Sequence, residues 1–170
     1  MTGWMPNAAR TMIDADIRVE DARWTEGRDI GVLIEECLDA AVAETGALPE
    51  HTEVEILLTD DAAQRVLNRD HRGKDASTNV LSFPAGETPL PPGLARPLGD
   101  VSLAFETVAR EATSGGITIE AHLCHLIIHG FLHLLGYDHE DDAEASVMEA
   151  TETRALMRLG IADPYRPEQV

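Results

Sequence analysis

With 170 residues, 44% of them hydrophobic and 26% charged, the chain has the size and composition of one globular domain plus a short tail. A formal charge of −18 argues against bulk electrostatic attraction to nucleic acid. The longest apolar stretch, Leu123 to Leu135, is interrupted by His125, His129 and His133 and is shorter than the roughly 20 residues a bilayer requires, which excludes a membrane span.

Residues 1–13 carry a Pro, a Gly and no periodicity, so they read as a flexible tail, and they have no apolar run behind a basic start to mark a signal peptide. Residues 14–170 read as a single domain. DADIRVED alternates as a first strand, and RDIGVLIEECLDAAVAETG sets Ile30, Leu33, Ile34, Cys37, Leu38 and Ala41 at helical spacing up to Gly46. Cys37 and Cys124 form no CxxC pair and read as reduced thiols of a cytoplasmic protein. TEVEILLTD is a buried strand, with Asp60 or Asp61 capping the helix DAAQRVLNRDHR. TNVLSFP is a further strand ended by Pro84, and residues 85–99, rich in Pro and Gly, form a long loop. DVSLAF is a fourth strand, followed by a helix from Glu106 to Ser114 that Gly115-Gly116 break. TIEAHLCHLIIHGFLHLLG is a long helix, and DDAEASVMEATETRALMRLG is the last one. The expected fold class is α+β: a small mixed sheet of about four strands packed with helices, with a metal site at the end of the long helix.

That helix carries the chemistry. Four residues turn about 400°, so His129 and His133 lie one turn apart, about 40° apart in azimuth and about 6 Å along the axis, as two ligands of one ion would. Gly136 is the natural C′ residue, and a reversal through Tyr137-Asp138 brings His139 back toward the same ion. Three histidines with a fourth position open form a catalytic zinc pattern rather than a closed structural one. His122 and His125 lie near the same face but lack this reversal, so they read as packing or as support for the ligands.

Gly130 stands where H-E-x-x-H proteases carry their general base. A glycine inside a helix costs around 1 kcal/mol relative to alanine, which marks a close approach of backbone or substrate, or tight helix packing. Zinc with three neutral ligands lowers the pKa of its water to about 7 without an adjacent carboxylate, and a phosphodiester suits such a site because its developing charge needs a cation as much as a base.

HGFLHLLGYDHE, LNRDHRGKDASTNVLSFP and LGDV together resemble the YbeY family, bacterial zinc-dependent endoribonucleases of ribosomal RNA maturation, over about Asp14 to Tyr165. The resemblance implies one zinc ion per chain on His129, His133 and His139. It also implies Arg72 in the work on RNA, single-stranded ribosomal RNA rather than DNA as substrate, ribosomal or ribosome-associated proteins as partners, and no membrane. Thr78-Asn79-Val80 departs from many members, which have Asp in place of Asn79, so a carboxylate role is absent there.

Arg72 and Lys74 flank Gly73 between a helix and a strand, where binding residues often sit. Lys74 is the chain's only lysine against twelve arginines, a point charge where the others are forks. Both are taken as catalytic, with Arg72 holding or neutralising the scissile phosphate and strand 77–83 offering an edge beside the bound chain. Asp138 serves as a ring-orienting partner or a turn former, and Met148 as core filler rather than a Met-turn. The seven acids from Asp138 to Glu152 read as a solvated helix face. Two other activities share the motif: a metzincin-like metalloprotease, which has the same ligand spacing but needs a Glu at 130, and a non-catalytic ribosome-assembly factor that uses zinc to fold.

Overall fold

The computed structural model describes residues 13–46, 48, 51–86, 89–91 and 93–165. Of the expected tail, 1–12 lie outside the described residues and Ile13 opens the first strand. In chain order the elements are β1 Ile13–Val19, a 3-10 turn Ala22–Thr25, α1 Ile30–Thr45, β2 Thr52–Thr59, α2 Asp61–Arg72, β3 Val80–Pro84, β4 Arg96–Ala104, α3 Phe105–Gly115, α4 Ile119–Leu134 and α5 Asp142–Arg158. Four helices start on a side chain that accepts from the third residue along: Asp29 from Val32, Asp60 from Ala63, Thr118 from Ala121, and Asp141 from Glu144. Each cap satisfies one of the amide donors a helix start leaves unpaired. α3 has no such cap because it runs straight on from β4.

The four strands form one mixed sheet in the order β1-β2-β4-β3. β1 pairs parallel with β2 and β2 with β4, while β3 pairs antiparallel with β4. The fold is α+β, as expected. The irregular strand–helix rhythm of the sequence has a structural counterpart: β1–α1–β2 is a single βαβ unit, and β3 then enters as an antiparallel edge before β4 completes the parallel set.

β4 begins at Arg96, inside the stretch expected to be loop. Pro97 and Gly99 read as breakers, but both are accommodated. The register shifts between Glu53 and Val54, which pair with Pro97 and Gly99 respectively and leave Leu98 as the extra residue of a bulge. Gly99 takes φ +140°, and a Cβ there would lie 2.3 Å from the Phe83 carbonyl oxygen and 2.9 Å from Leu134 Cδ2. Only glycine fits.

Successive residues of β4 point to opposite faces of the sheet and define its layers. Val101 faces Gly130 of α4. Ser102 faces α2, donating to Gln64 Oε1 at 2.7 Å while Gln64 Nε2 donates to the Ser102 carbonyl at 3.0 Å. α4 therefore covers one face over β3 and β4, with α1 and α5 packed beside it, and α2 covers part of the other. The core lies under α4: Leu123, Ile127, Ile128, Phe131 and Leu132 are fully buried against Val101, Leu103 and Ile56. Met148 belongs to this core, as its spacing predicted. Cys37 and Cys124 are free thiols buried where α1 meets α4. Among the described residues no single helix is long and apolar enough to cross a membrane.

Candidate metal centre and cleft

α4 ends in a Schellman motif. The amide of Gly136 donates to the His133 carbonyl and that of Tyr137 to the Leu132 carbonyl, each at 3.0 Å, with Gly136 at φ +97°. This reversal returns the chain over the helix face and brings His139 to its partners. Ring centroids are 4.6 Å apart for His129–His133, 5.1 Å for His133–His139 and 5.9 Å for His129–His139. One nitrogen from each of the three rings lies within 4.8 Å of the other two. His129 Nε2 and His133 Nε2 are 3.1 Å apart. Two nitrogens bound at about 2.0–2.1 Å to one tetrahedral ion would stand about 3.3 Å apart, so the pair is already close to a ligating separation. Burial, with the His129 and His139 rings alongside, pushes His133 below the usual histidine pKa, toward the neutral form a metal requires.

Behind His129 stands a carboxylate. Glu152 of α5 is fully buried and receives His129 Nδ1 at 2.5 Å on Oε1. Its Oε2 receives His125 Nε2 at 3.0 Å and the Tyr165 hydroxyl. Burial alone pushes the Glu152 carboxyl up, but the hydrogen bonds from His125 and His129, the His129 charge and the Tyr165 hydroxyl outweigh it and hold the pKa down to about 2. This corrects the reading of Glu152 as part of a solvated acidic face. Met148, Thr151, Glu152, Ala155 and Leu156 are the buried positions of α5, at offsets of three and four, so the helical period places Glu152 inward. A charge at a core position was the signal available. His125, Glu152 and His129 also satisfy the spacing of a metal cluster, but the carboxylate there already takes donors on both oxygens. His122 turns away to Glu111 Oε1 at 2.9 Å, an oxygen that also accepts from Asn79 Nδ2 at 2.9 Å. Asp138 forms the turn, accepting from the His139 amide at 2.7 Å.

The three histidines open onto a cleft of about 610 Å³ that Arg72, Lys74, Asp138 and Glu140 also line. The sequence-predicted residues thus share one cavity. Arg72 is the last residue of α2, as the helix DAAQRVLNRDHR predicted, Gly73 is its left-handed cap, and Lys74 follows. Asn68, buried on α2, accepts from the Lys74 amide at 3.3 Å and donates from Nδ2 to the Ala76 carbonyl at 2.8 Å, holding this turn. The basic run from Arg65 is partly neutralised: Arg65 pairs with Asp75 and Arg69 with Asp70. Arg72 instead donates from Nη2 to the Ser82 carbonyl at 2.7 Å, with its guanidinium 5.7 Å from the Phe83 ring centre. The Ser82 hydroxyl donates to the Gly130 carbonyl at 3.0 Å, so one residue of the edge strand β3 joins the arginine to the helix of His129.

Gly130 faces the sheet. A Cβ there would stand 2.8 Å from Val101 Cγ1 and 3.0 Å from Ser82 Oγ, so the glycine serves the seating of the helix on the sheet.

Comparison with known proteins decides the family. The model described as Endoribonuclease YbeY matches residues 16–160. The chain belongs to the YbeY family. A YbeY protein of Azorhizobium caulinodans, named an endoribonuclease, is 51% identical over 155 residues, 90% of this chain and 96% of its own length. One from Chelativorans is 47% identical over 150 residues, covering 88% and 91%. A solution structure of a Thermotoga maritima protein superposes with a TM-score of 0.54 over 92% of this chain and all of the other; at 22% identity it speaks for the fold alone.

Proposed function

We propose that this protein is a cytoplasmic, zinc-dependent endoribonuclease that cleaves single-stranded RNA in ribosomal RNA maturation and ribosome quality control. One observation carries the reading: three imidazoles converge at one end of a cleft whose other wall holds Arg72 and Lys74. Family membership supports RNA as the substrate. His129, His133 and His139 would hold one zinc ion, their nitrogens suiting that ion in type and number. Zinc supplies there a Lewis acid that makes hydroxide available near pH 7. The chain's own residues do the rest. Arg72, anchored through one N–H to the Ser82 carbonyl, keeps the remainder of its fork for the phosphodiester, and Lys74 adds a movable point charge. Asp138 and Glu140 line the same cleft and the chain carries −18 overall. RNA is therefore held by the local cations and the metal, and ribosomal proteins bound to the same RNA bring it to the cleft.

The test is cleavage of single-stranded RNA by purified protein. Arg72→Ala is expected to lower kcat about 10²–10³-fold, the range for loss of one oriented charge-stabilising donor, with zinc content unchanged. Arg72→Lys restores charge but not the fork and recovers little. Wild-type cleavage by both variants would assign the activity to a contaminating nuclease, and zinc-dependent peptide hydrolysis would favour a protease instead.

A further inference from the structure

We infer that Glu152, held by His125 and Tyr165, is a positioning residue that fixes the tautomer and ring orientation of His129. The inference rests on the proposed role of His129 as a zinc ligand.

An ionised carboxylate only accepts hydrogen bonds, so the nitrogen facing it must carry the proton. Glu152 Oε1 faces His129 Nδ1 at 2.5 Å. His129 is thereby held as the Nδ1–H tautomer, with the Nε2 lone pair turned toward His133 Nε2, 3.1 Å away. Left free, that carboxylate could rotate or draw water; instead its second oxygen is closed off. His125 Nε2 approaches Oε2 at 3.0 Å and the Tyr165 hydroxyl donates to the same atom, with His125 Nε2 and the hydroxyl 3.1 Å apart. The His125 and Tyr165 rings meet edge to face, centroids 5.4 Å apart. Tyr165 lies beyond α5, and its own amide donates to Asp163 Oδ1 at 2.8 Å, which sets the chain to cover Glu152. The assembly therefore gathers one residue of α5, one of α4 a turn before His129, and one from the segment after α5. A carboxylate on the far nitrogen of a ligating imidazole is the arrangement that orients a metal ligand and raises its basicity.

The assembly makes a demand on the protein with no metal present. In wild-type protein stripped with chelator, long-range proton–nitrogen correlation spectra should show His129 as the Nδ1–H form, against the Nε2–H preference of free imidazole side chains in water. Glu152→Gln, of equal shape but neutral and with one acceptor replaced by donors, should release His129 to a mixture of tautomers and weaken zinc binding about 10–100-fold. Tyr165→Phe, a half-exposed position where folding is not at stake, should weaken zinc in the same direction by a smaller factor while leaving the tautomer in place. A wild-type His129 found as Nε2–H overturns the inference whatever the variants do. So does zinc affinity unchanged in both variants, and so does a count of two ions per chain, which would make Glu152 a ligand. If His133→Ala binds zinc as tightly as wild type, the metal reading itself fails, and the tautomer measured on stripped protein still judges the Glu152 contact.

Discussion

His133→Ala is expected to leave a folded protein that carries no stoichiometric zinc and cleaves RNA at least about 10³-fold more slowly, the scale seen when one member of a unit that acts together is removed. The fold should survive because the change is kind to α4. Alanine is the best helix former, and the His133 side chain lies at the cleft rather than among the fully buried residues beneath it. The site should not survive. Its two remaining imidazoles, His129 and His139, have ring centroids 5.9 Å apart, the widest of the three pairs, and His139 is an exposed residue beyond the helix end. Elemental analysis beside far-ultraviolet circular dichroism separates the two effects. A variant with wild-type metal content would place the ion elsewhere, and His125 with Glu152 would be the first alternative to examine.

Gly130→Glu writes the protease motif H-E-x-x-H into the chain, and the expected product is a severely destabilised protein, not a protease. Position 130 points into the sheet. Its Cβ would enter at 2.8 Å and 3.3 Å from the two methyl groups of Val101 and at 3.0 Å from Ser82 Oγ, in a place where Gly130 itself is buried. Val101 is fully buried and its branched side chain has few rotamers to retreat into. Overpacking of this kind costs about 1–3 kcal/mol. Helix propensity returns about 1 kcal/mol of that for Gly130→Ala, so the alanine variant should lose no more than about 2 kcal/mol in a denaturant melt. For Glu the larger side chain and an unpaired buried carboxyl add to the clash, giving a loss beyond about 4 kcal/mol, a large share of the roughly 5–15 kcal/mol a domain possesses. A folded Gly130→Glu protein that hydrolyses peptides would overturn both the orientation of α4 and the nuclease reading.

The sequence disclosed those parts of the site that depend on local geometry. The i, i+4 pair His129 and His133, the glycine that must follow the helix, and the return of His139 are all consequences of helix pitch and backbone sterics, which act over a few residues. The same holds for the N-cap of α2, narrowed by the sequence to Asp60 or Asp61 and found at Asp60. Tertiary pairing hid the rest. β4 starts at Arg96 because a parallel neighbour tolerates Pro97 and Gly99 through a bulge, and no single-strand pattern announces that partner. Gly130 could be read as a missing base or as close packing; only the facing Val101 decides for packing. Glu152 was obscured by its neighbours in sequence, since acids surround it on α5, although its helical phase with Met148 and Ala155 was readable. Tyr165 carried no signal at all, because its partner lies on another element.

Ser82 sets the span between Arg72 and the three histidines. Its carbonyl fastens the guanidinium on one bank and its hydroxyl fastens the helix backbone on the other, so the separation between cation and imidazoles is fixed by two hydrogen bonds to backbone carbonyls. Dissolved ions screen charge over a Debye length of about 8–10 Å but leave such bonds intact. Raising ionic strength should therefore loosen the grip on a polyanion while the spacing between the guanidinium and the three imidazoles stays constant.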